Sequence, residues 1–403
     1  PCLFVNPNFK REAVYFLRQV DDFAVSASSK TICDSVISAI NSKMTIDIKS
    51  LGTVNRFNGV DIDQTQEYIK VSTGTYIKKI LTSKGWLDAA IPDNSTIKYT
   101  PMHSDNTYNK LIDESIPIPD KELPAVEKEM GFTYKQGIGE LIYALVTCRP
   151  DISFPLIKLS QHSTKPSRLH FEAVRGIYAY LKQTQEVGIH YWRPKPRMDL
   201  PLKDRPPPLT DYNNYVPDPD KQPTDPGLIQ LHVDAAYAND PNHRRSVTGI
   251  LARLAGGTIM YKTRFQDTVA LSSTEAEFIA ACDAGKNCLY LRSILNDLGI
   301  EQKEATVIYE DNQGVILMAN AGKPTKRTRH VDTKYFAIQS WVEQDLLRFK
   351  HISTSDNSSD ALTKNVPRIL FNRHSDFILG RTVPDYVTNT SSVRDSYALN
   401  HTA

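Results

Sequence analysis

Apolar residues recur along this chain with a period that changes from stretch to stretch, and each period predicts an element. Over 272–298 the steps alternate four and three, so Glu277, Ala281, Ala284, Cys288, Leu291, Leu295 and Leu298 share one face of a long helix. The runs 227–236, 247–254 and 258–264 are short, apolar and bounded by turn formers. They predict strands, with Gly256-Gly257 turning the chain between the last two. Beyond the helix, 306–310 and 346–352 read as further strands, and 331–344 as a helix between them. Meandering strands followed by helix-linked ones predict an α/β (α+β) fold class: a mixed five-stranded sheet flanked by helices.

The first half follows other periods. Residues 14–22 and 23–26 read as strands, with Asp21 and Asp22 at the tip of the hairpin between them. An acidic turn alone is common and carries little. Residues 51–63 then read as a strand pair, 68–81 as a helix and 133–191 as helices. Within the last stretch Phe171, Val174, Ile177, Tyr178 and Leu181 recur at helical spacing as a core face, with Arg175 and Lys182 among them. Prolines crowd 194–226 among Asp, Lys and Asn, a composition that supports neither helix nor sheet interior and predicts a solvated linker. The expected division is 1–95, 96–193, the linker 194–227, the sheet domain 228–368 and a tail 369–403 that is partly disordered.

Composition narrows the function classes. At 403 residues the chain is long enough for two or three domains, and its formal net charge of +2 sets up no global basic field, so nucleic-acid contact falls to local clusters. The five cysteines form no C-x-x-C pair, which predicts reduced thiols in an intracellular protein. No apolar run reaches the roughly 18 residues of a membrane span. The chain begins at Pro1 without a signal peptide and reads as a piece of something longer.

The candidate chemistry is acidic. Asp234 ends the first strand of the sheet domain, Asp311 follows the strand 306–310 and begins a helix, and Asp360 lies in Ser-Ser-Asp-Ala-Leu-Thr-Lys. Glu277 is the charged position on the sheet-facing stripe of the long helix, where a carboxylate is costly unless it is paired or binds a metal. Glu275 lies about 200° away around the helix. It suits a first-turn acid complementing the dipole, with Ser272 or Ser273 as the cap, and is the fallback ligand. Four carboxylates on strand ends and helix starts suit hard divalent cations. Two such ions about 4 Å apart hold both the attacking water and the leaving oxygen of a phosphodiester. Asp311 alone would be an ordinary N-cap, and Asp356 is a second candidate cap for the segment carrying Asp360. The basic run containing Lys323, Lys326, Arg327 and Arg329 is expected to grip a phosphate backbone, although such a run is otherwise a solvated loop. His351 falls inside a strand and takes no proton-shuttle role.

The ordered series Val20-Asp21-Asp22, Leu51-Gly52 followed by Phe57-Asn58-Gly59-Val60-Asp61-Ile62, Thr100-Pro101-Met102, Ile138-Gly139-Glu140-Leu141-Ile142-Tyr143, Arg149-Pro150-Asp151-Ile152 and Tyr180-Leu181-Lys182-Gln183-Thr184 resembles the second half of a copia-type retrotransposon reverse transcriptase. The later acidic stretches resemble the ribonuclease H domain that follows it in the same Pol polyprotein. The resemblance runs from about Val14 to Pro367. Gln19 stands where the family has tyrosine, and Phe336 where it tends to have a second histidine beside His330.

The resemblance implies a C-terminal piece of polymerase palm and thumb joined to a ribonuclease H-like domain. In it Asp234, Glu277, Asp311 and Asp360 would bind two Mg2+ ions, with Mn2+ as a substitute, and cut the RNA strand of an RNA–DNA hybrid. Asp21 and Asp22 would be two of three polymerase ligands, the third preceding Pro1 together with the fingers, so RNA-directed DNA polymerase activity is not expected. Expected partners are the RNA–DNA hybrid, RNA template and DNA primer, and other parts of the polyprotein, with no membrane; the expected location is cytoplasmic, in virus-like particles, or nuclear. The alternative is a catalytically inactive nucleic-acid-binding remnant of a decayed retroelement. A DNA transposase or integrase also clusters carboxylates, but the polymerase-like series upstream argues against it.

Overall fold

A computed structural model describes residues 3–9, 12–92, 98–194, 216–217, 225–320 and 332–383. Most of the proline-rich linker, the basic run with Lys323, Lys326, Arg327 and Arg329, and residues 384–403 lie outside that set.

The chain opens with an antiparallel sheet in the order β1 (Leu3–Phe9), β2 (Glu12–Gln19), β3 (Asp22–Ser26). Gln19 pairs with Asp22, and Val20, at φ 52°, helps close the tight turn. Helix α1 (Lys30–Asn41) follows, capped by Ser29, whose hydroxyl accepts the Ile32 N–H. Then β4 (Arg56–Phe57), β5 (Val60–Gln64), β6 (Tyr68–Ser72) and the later β7 (Gly188–Trp192) form a second antiparallel sheet in that order. This corrects two expectations. Residues 68–72 are strand, and helix α2 (Gly74–Ser83) begins only after them. The end of 133–191 is strand as well. Tyr68 pairs with Trp192 and Ser72 with Gly188, so each five-residue run is stabilised by a partner about 120 positions away that local periodicity does not reveal.

Between them lie α3 (Asn106–Glu114), α4 (Leu123–Met130), α5 (Tyr134–Cys148), α6 (Ser153–Ser160) and α7 (Arg168–Gln183). The stripe of α7 expected to be core is buried: Phe171, Val174, Ile177, Tyr178 and Leu181 are all inaccessible to solvent. The short β8 (Val216–Pro217) precedes the main sheet.

That sheet consists of β9 (Gln230–Ala236), β10 (Val247–Leu254), β11 (Gly257–Phe265), β12 (Thr306–Glu310) and β13 (Leu347–His351), in the spatial order β11-β10-β9-β12-β13. The first three meander antiparallel, and β12 runs parallel to both β9 and β13. Helix α8 (Ser273–Asp297) connects β11 to β12; α9 (Gln313–Asn320) and α10 (Asp332–Glu343) connect β12 to β13. Central β9 is buried along nearly its whole length, although the polar Gln230, His232 and Asp234 alternate with its apolar residues. Leu231, Val233 and Ala235 pack against Ala281, Ala284 and Cys288 of α8.

The opposite face is covered by a 3-10 turn, Ser358–Leu362, and by α11 (Arg368–Ile378), which ends in β14 (Thr382–Val383), paired with β8. The tail expected from 369 begins as helix, with Phe371, Phe377 and Ile378 buried; the stretch beyond Arg381, where disorder is expected, lies largely outside the described residues. Nor does the core respect the expected boundary at the linker. Leu251, Leu362, Phe371 and Ile378 belong to one apolar cluster with Leu141, Leu156, Phe171 and Leu181 of the upstream helices. The His190 N–H donates to Leu379 at 2.9 Å, and Trp192 Nε1 to Gly380 at 2.8 Å. Proline-rich composition reports local solvation of a connection; it does not report that the sheet's second face needs an apolar cover. Among the described residues no helix is long and apolar enough to cross a membrane.

Candidate metal centre

The carboxyl ends of β9 and β12 lie side by side because the two strands run parallel, and open sheets gather functional groups at such ends. Asp234 sits near the end of β9, opposite Gly249 of β10. Asp311 follows the last residue of β12. Helix α8 starts beside them, with Ser272 as its N-cap, accepting the Glu275 N–H at 3.1 Å. The Glu275 carboxylate reaches back to accept the Leu271 N–H at 2.7 Å, so it caps the helix and turns away from the other acids. Glu277, two residues on, points at the sheet. Ligand atoms of Asp234, Glu277 and Asp311 lie within 4.8 Å of one another, the one group of this kind among the described residues.

Asp360 reaches this group through the 3-10 turn. Asn357 caps the turn, accepting the Ser359 N–H, and its amide donates to the Val233 carbonyl at 2.8 Å, pinning the turn onto β9. Gly249 makes the room: a Cβ there would meet Thr363 Cγ2 at 2.6 Å and the Ser359 carbonyl at 2.9 Å. Asp360 is buried and ion-paired to Lys364 Nζ at 2.8 Å, and the Thr363 hydroxyl donates to Asp234. Asp356 does not cap the turn. It accepts from Ser353 Oγ at 2.6 Å and pairs with Arg373, because Asn357 already occupies the cap position.

Electrostatics follow from burial. Asp234 is 3 % exposed and Glu277 8 %. Burial, then the nearby charge of Asp360, pushes the Asp234 carboxyl up to about 7. Burial, then the charges of Asp234, Glu310 and Asp311, raises Glu277 far above the usual carboxylate range. Asp360 is raised for the same first reason, with Lys364 opposing. Glu277 Oε2 and Glu310 Oε2 are buried without any hydrogen-bond partner. Acids crowded together, oxygen donors only, and orphaned carboxylate oxygens fit a hard divalent cation, whose charge would relieve the repulsion.

Asp21 and Asp22 are placed differently. Both are exposed at the hairpin tip, and the structure brings no third acid to them among the described residues. Phe336 is half exposed on α10, and His351 is exposed at the end of β13. Glu310 is the acid that sequence reasoning missed. A signal existed: Thr306, Ile308 and Glu310 alternate with the half-buried Val307 and Tyr309, so the strand's period turns Glu310 inward.

No family model matches the chain. It is 28% identical over 373 residues to the retrovirus-related Pol polyprotein from transposon TNT 1-94 of Nicotiana tabacum, a match covering 92% of this chain and 25% of that protein. It is 24% identical over 365 residues to the corresponding polyprotein from transposon RE2 of Arabidopsis thaliana, covering 91% and 22%. The chain thus spans about a quarter of the length of these curated relatives. Among solved structures, LC11-RNase H1 isolated from compost aligns at 17% identity and a TM-score of 0.28, over 34% of this chain and 93% of that one. The same protein in complex with an RNA/DNA hybrid aligns at 15% identity and a TM-score of 0.26, over 34% and 93%. The polyprotein relatives are of copia-type transposons, the family whose motif order this sequence resembles.

Proposed function

We propose that this chain carries a divalent-cation-dependent ribonuclease H that cuts the RNA strand of an RNA–DNA hybrid, joined to a reverse-transcriptase-like segment in a retrotransposon Pol polyprotein. The observation that carries this reading is the convergence of Asp234, Glu277 and Asp311 on one point, with Asp360 beside them, in a chain similar to Pol polyproteins over nine-tenths of its length. Asp234, Glu277, Asp311 and Asp360 would hold two Mg2+ ions, or Mn2+ in their place. Bound there, the ions would activate a water and steady the leaving 3′ oxygen of the phosphodiester.

The protein's own contribution is to keep the carboxylates positioned. Thr363 orients Asp234, Asn357 fixes the turn that carries Asp360, and the capped start of α8 sets the phase of Glu277. Hybrid recognition would fall to the wide minor groove and the ribose 2′-hydroxyls. Lys323, Lys326, Arg327 and Arg329 are read as phosphate contacts. The polymerase-like part would be silent: Asp21 and Asp22 stand exposed at the hairpin tip, and no third acid joins them among the described residues. The test is cleavage of a hybrid labelled on its RNA strand, with Mg2+ and with EDTA, beside the same RNA as a duplex with RNA. Cation-dependent cutting of the hybrid alone supports the reading; a protein that binds hybrid without cutting it would instead be a silent remnant.

A further inference from the structure

The 3-10 turn that carries Asp360 is only five residues long, so its placement depends on what holds its ends. Asn357 pins the first end to β9. The last residue is Leu362, whose carbonyl is one of those that a helix end leaves without an internal partner. Thr263 of β11 pairs with Gly249, on the face that the turn covers, and its hydroxyl donates to the Leu362 carbonyl at 2.8 Å. The same hydroxyl oxygen accepts from Ser153 Oγ at 2.7 Å. Ser153 is buried at the start of α6, in the upstream half of the chain.

What fixes Ser153 is a buried network for which the reaction has no use. A short 3-10 segment, Pro150–Ile152, joins α5 to α6. Just before it, Arg149 donates to both carboxylate oxygens of Asp151, from Nε at 2.9 Å and from Nη2 at 2.7 Å. Arg149 also donates to the Thr184 carbonyl at 2.9 Å and to its hydroxyl at 2.8 Å, and the Tyr180 hydroxyl donates to Asp151 at 2.6 Å. The Arg149 and Asp151 side chains are both 0 % exposed. A buried ion pair is tolerated only when its remaining hydrogen-bonding groups are satisfied, so each partner here fixes the geometry of the others. The network ties the start of α6 to α7, α6 presents Ser153 to Thr263, and Thr263 presents its proton to the turn. Asp360 lies two residues before Leu362, and Thr363, whose hydroxyl donates to Asp234, lies one after it. Both move with that carbonyl.

We propose that Ser153 and Thr263 are positioning residues of the cation centre, a hydroxyl relay through which the upstream helices hold the turn that bears Asp360, so that both halves of the chain complete the centre. This rests on the reading of Asp234 and Asp360 as cation ligands. The competing role is adhesion, the two hydroxyls doing no more than cementing α6 to the sheet. Adhesion would move the melting temperature alone. Positioning also changes the order of the turn and the rate of the reaction.

The experiment compares the full chain with Thr263→Val, Thr263→Ser and Ser153→Ala by backbone hydrogen exchange in EDTA and by steady-state cleavage of an RNA–DNA hybrid with Mg2+. Valine keeps the shape of threonine and removes the hydroxyl; serine keeps the hydroxyl. Thr263→Val is expected to speed exchange across 358–366 about tenfold, with β9 and α7 unchanged, because the buried carbonyl loses its donor. It should also lower kcat about tenfold at unchanged KM. Ser153→Ala should do the same to about threefold, since it removes only the outer bond of the relay. Thr263→Ser should match the parent in both. Parental exchange across 358–366 in Thr263→Val overturns the proposal, and so does faster exchange with an unchanged kcat. A Thr263→Ser variant as impaired as Thr263→Val also overturns it, because the hydroxyl would then not be the part that matters. If Thr263→Val folds poorly, Ser153→Ala tests the relay from its other end. A parent that cuts no hybrid overturns the nuclease reading, and the exchange comparison in EDTA still decides whether the relay holds the turn.

Discussion

Two aspartate-bearing turns, one in each half of the molecule, have opposite fates. At the tip of the β2–β3 hairpin, Asp21 and Asp22 stand in solvent. Their sheet packs lightly: among the described residues from 3 to 67, Val14 and Val36 are the buried hydrophobic side chains. At the ends of β9 and β12, Asp234 and its neighbours are buried between a 25-residue helix and a covering turn. Carboxylates in water cost nothing to keep and imply nothing about chemistry. Carboxylates packed together out of water are tolerated only where a proton or a cation compensates them, so burial turns an ordinary residue type into a functional one.

The sharpest way to break this contrast is to remove one charge from the buried group. Asp311→Asn keeps the shape and deletes a ligand charge, and hybrid cleavage should fall at least about a hundredfold, equivalent to roughly 2.7 kcal/mol of barrier. The melting temperature should not fall. Retained cleavage in a folded variant would show that the cluster is not the reaction centre.

Next in size is the difference between two glutamates on one helix. Glu277→Gln should lose cleavage about as severely as Asp311→Asn. Glu275→Gln should cost at most about 1 kcal/mol of stability through its cap and leave the rate nearly unchanged. The reverse order in paired rate measurements would mean that α8 presents its other face to the substrate.

Neutralising Lys326, Arg327 and Arg329 together should weaken hybrid binding and reduce the slope of log affinity against log salt by about one unit per lost phosphate contact. A parental slope would return this run to an ordinary solvated loop.

The fourth expectation concerns pH. The Asp234 carboxyl is raised in the folded protein above its ordinary 3.8, so the folded state holds the proton longer than the unfolded chain does. Its contribution to stability is therefore complete below about pH 4 and is lost as pH rises toward about 7. Glu277 acts with the same sign. In EDTA the melting temperature should drop between about pH 4 and pH 7, and Mg2+ should remove most of the drop. An identical decline in Asp234→Asn would assign it to other groups.

The smallest effect is expected at the exposed pair. Asp21→Asn and Asp22→Asn should change stability by less than about 0.5 kcal/mol and leave hybrid cleavage untouched. Primer extension by the parent on a poly-purine RNA template should be absent; any product lost in Asp22→Asn would reveal a complete polymerase site at the hairpin.

What the sequence determined by itself is what depends on near neighbours. The α/β class, the five strands of the main sheet and the long helix follow from local period, and the pairing of β10 with β11 follows from the short turn between them. The stripe from Glu277 to Leu298 separates Glu277 from Glu275 because angular phase along a helix is a local property. Tertiary structure decided the rest. Strands β6 and β7 exist as a pair only because the chain returns after six α-helices, α2 to α7. Helix α11 is placed by the second face of the main sheet, which Phe371, Phe377 and Ile378 help to cover. Glu310 is fully buried for the same reason: strand period turns it inward, but only the packing of α8 over the sheet closes it off from water. Burial is set by distant segments closing on one another, and the energy of a charge depends on burial more than on its neighbours in sequence.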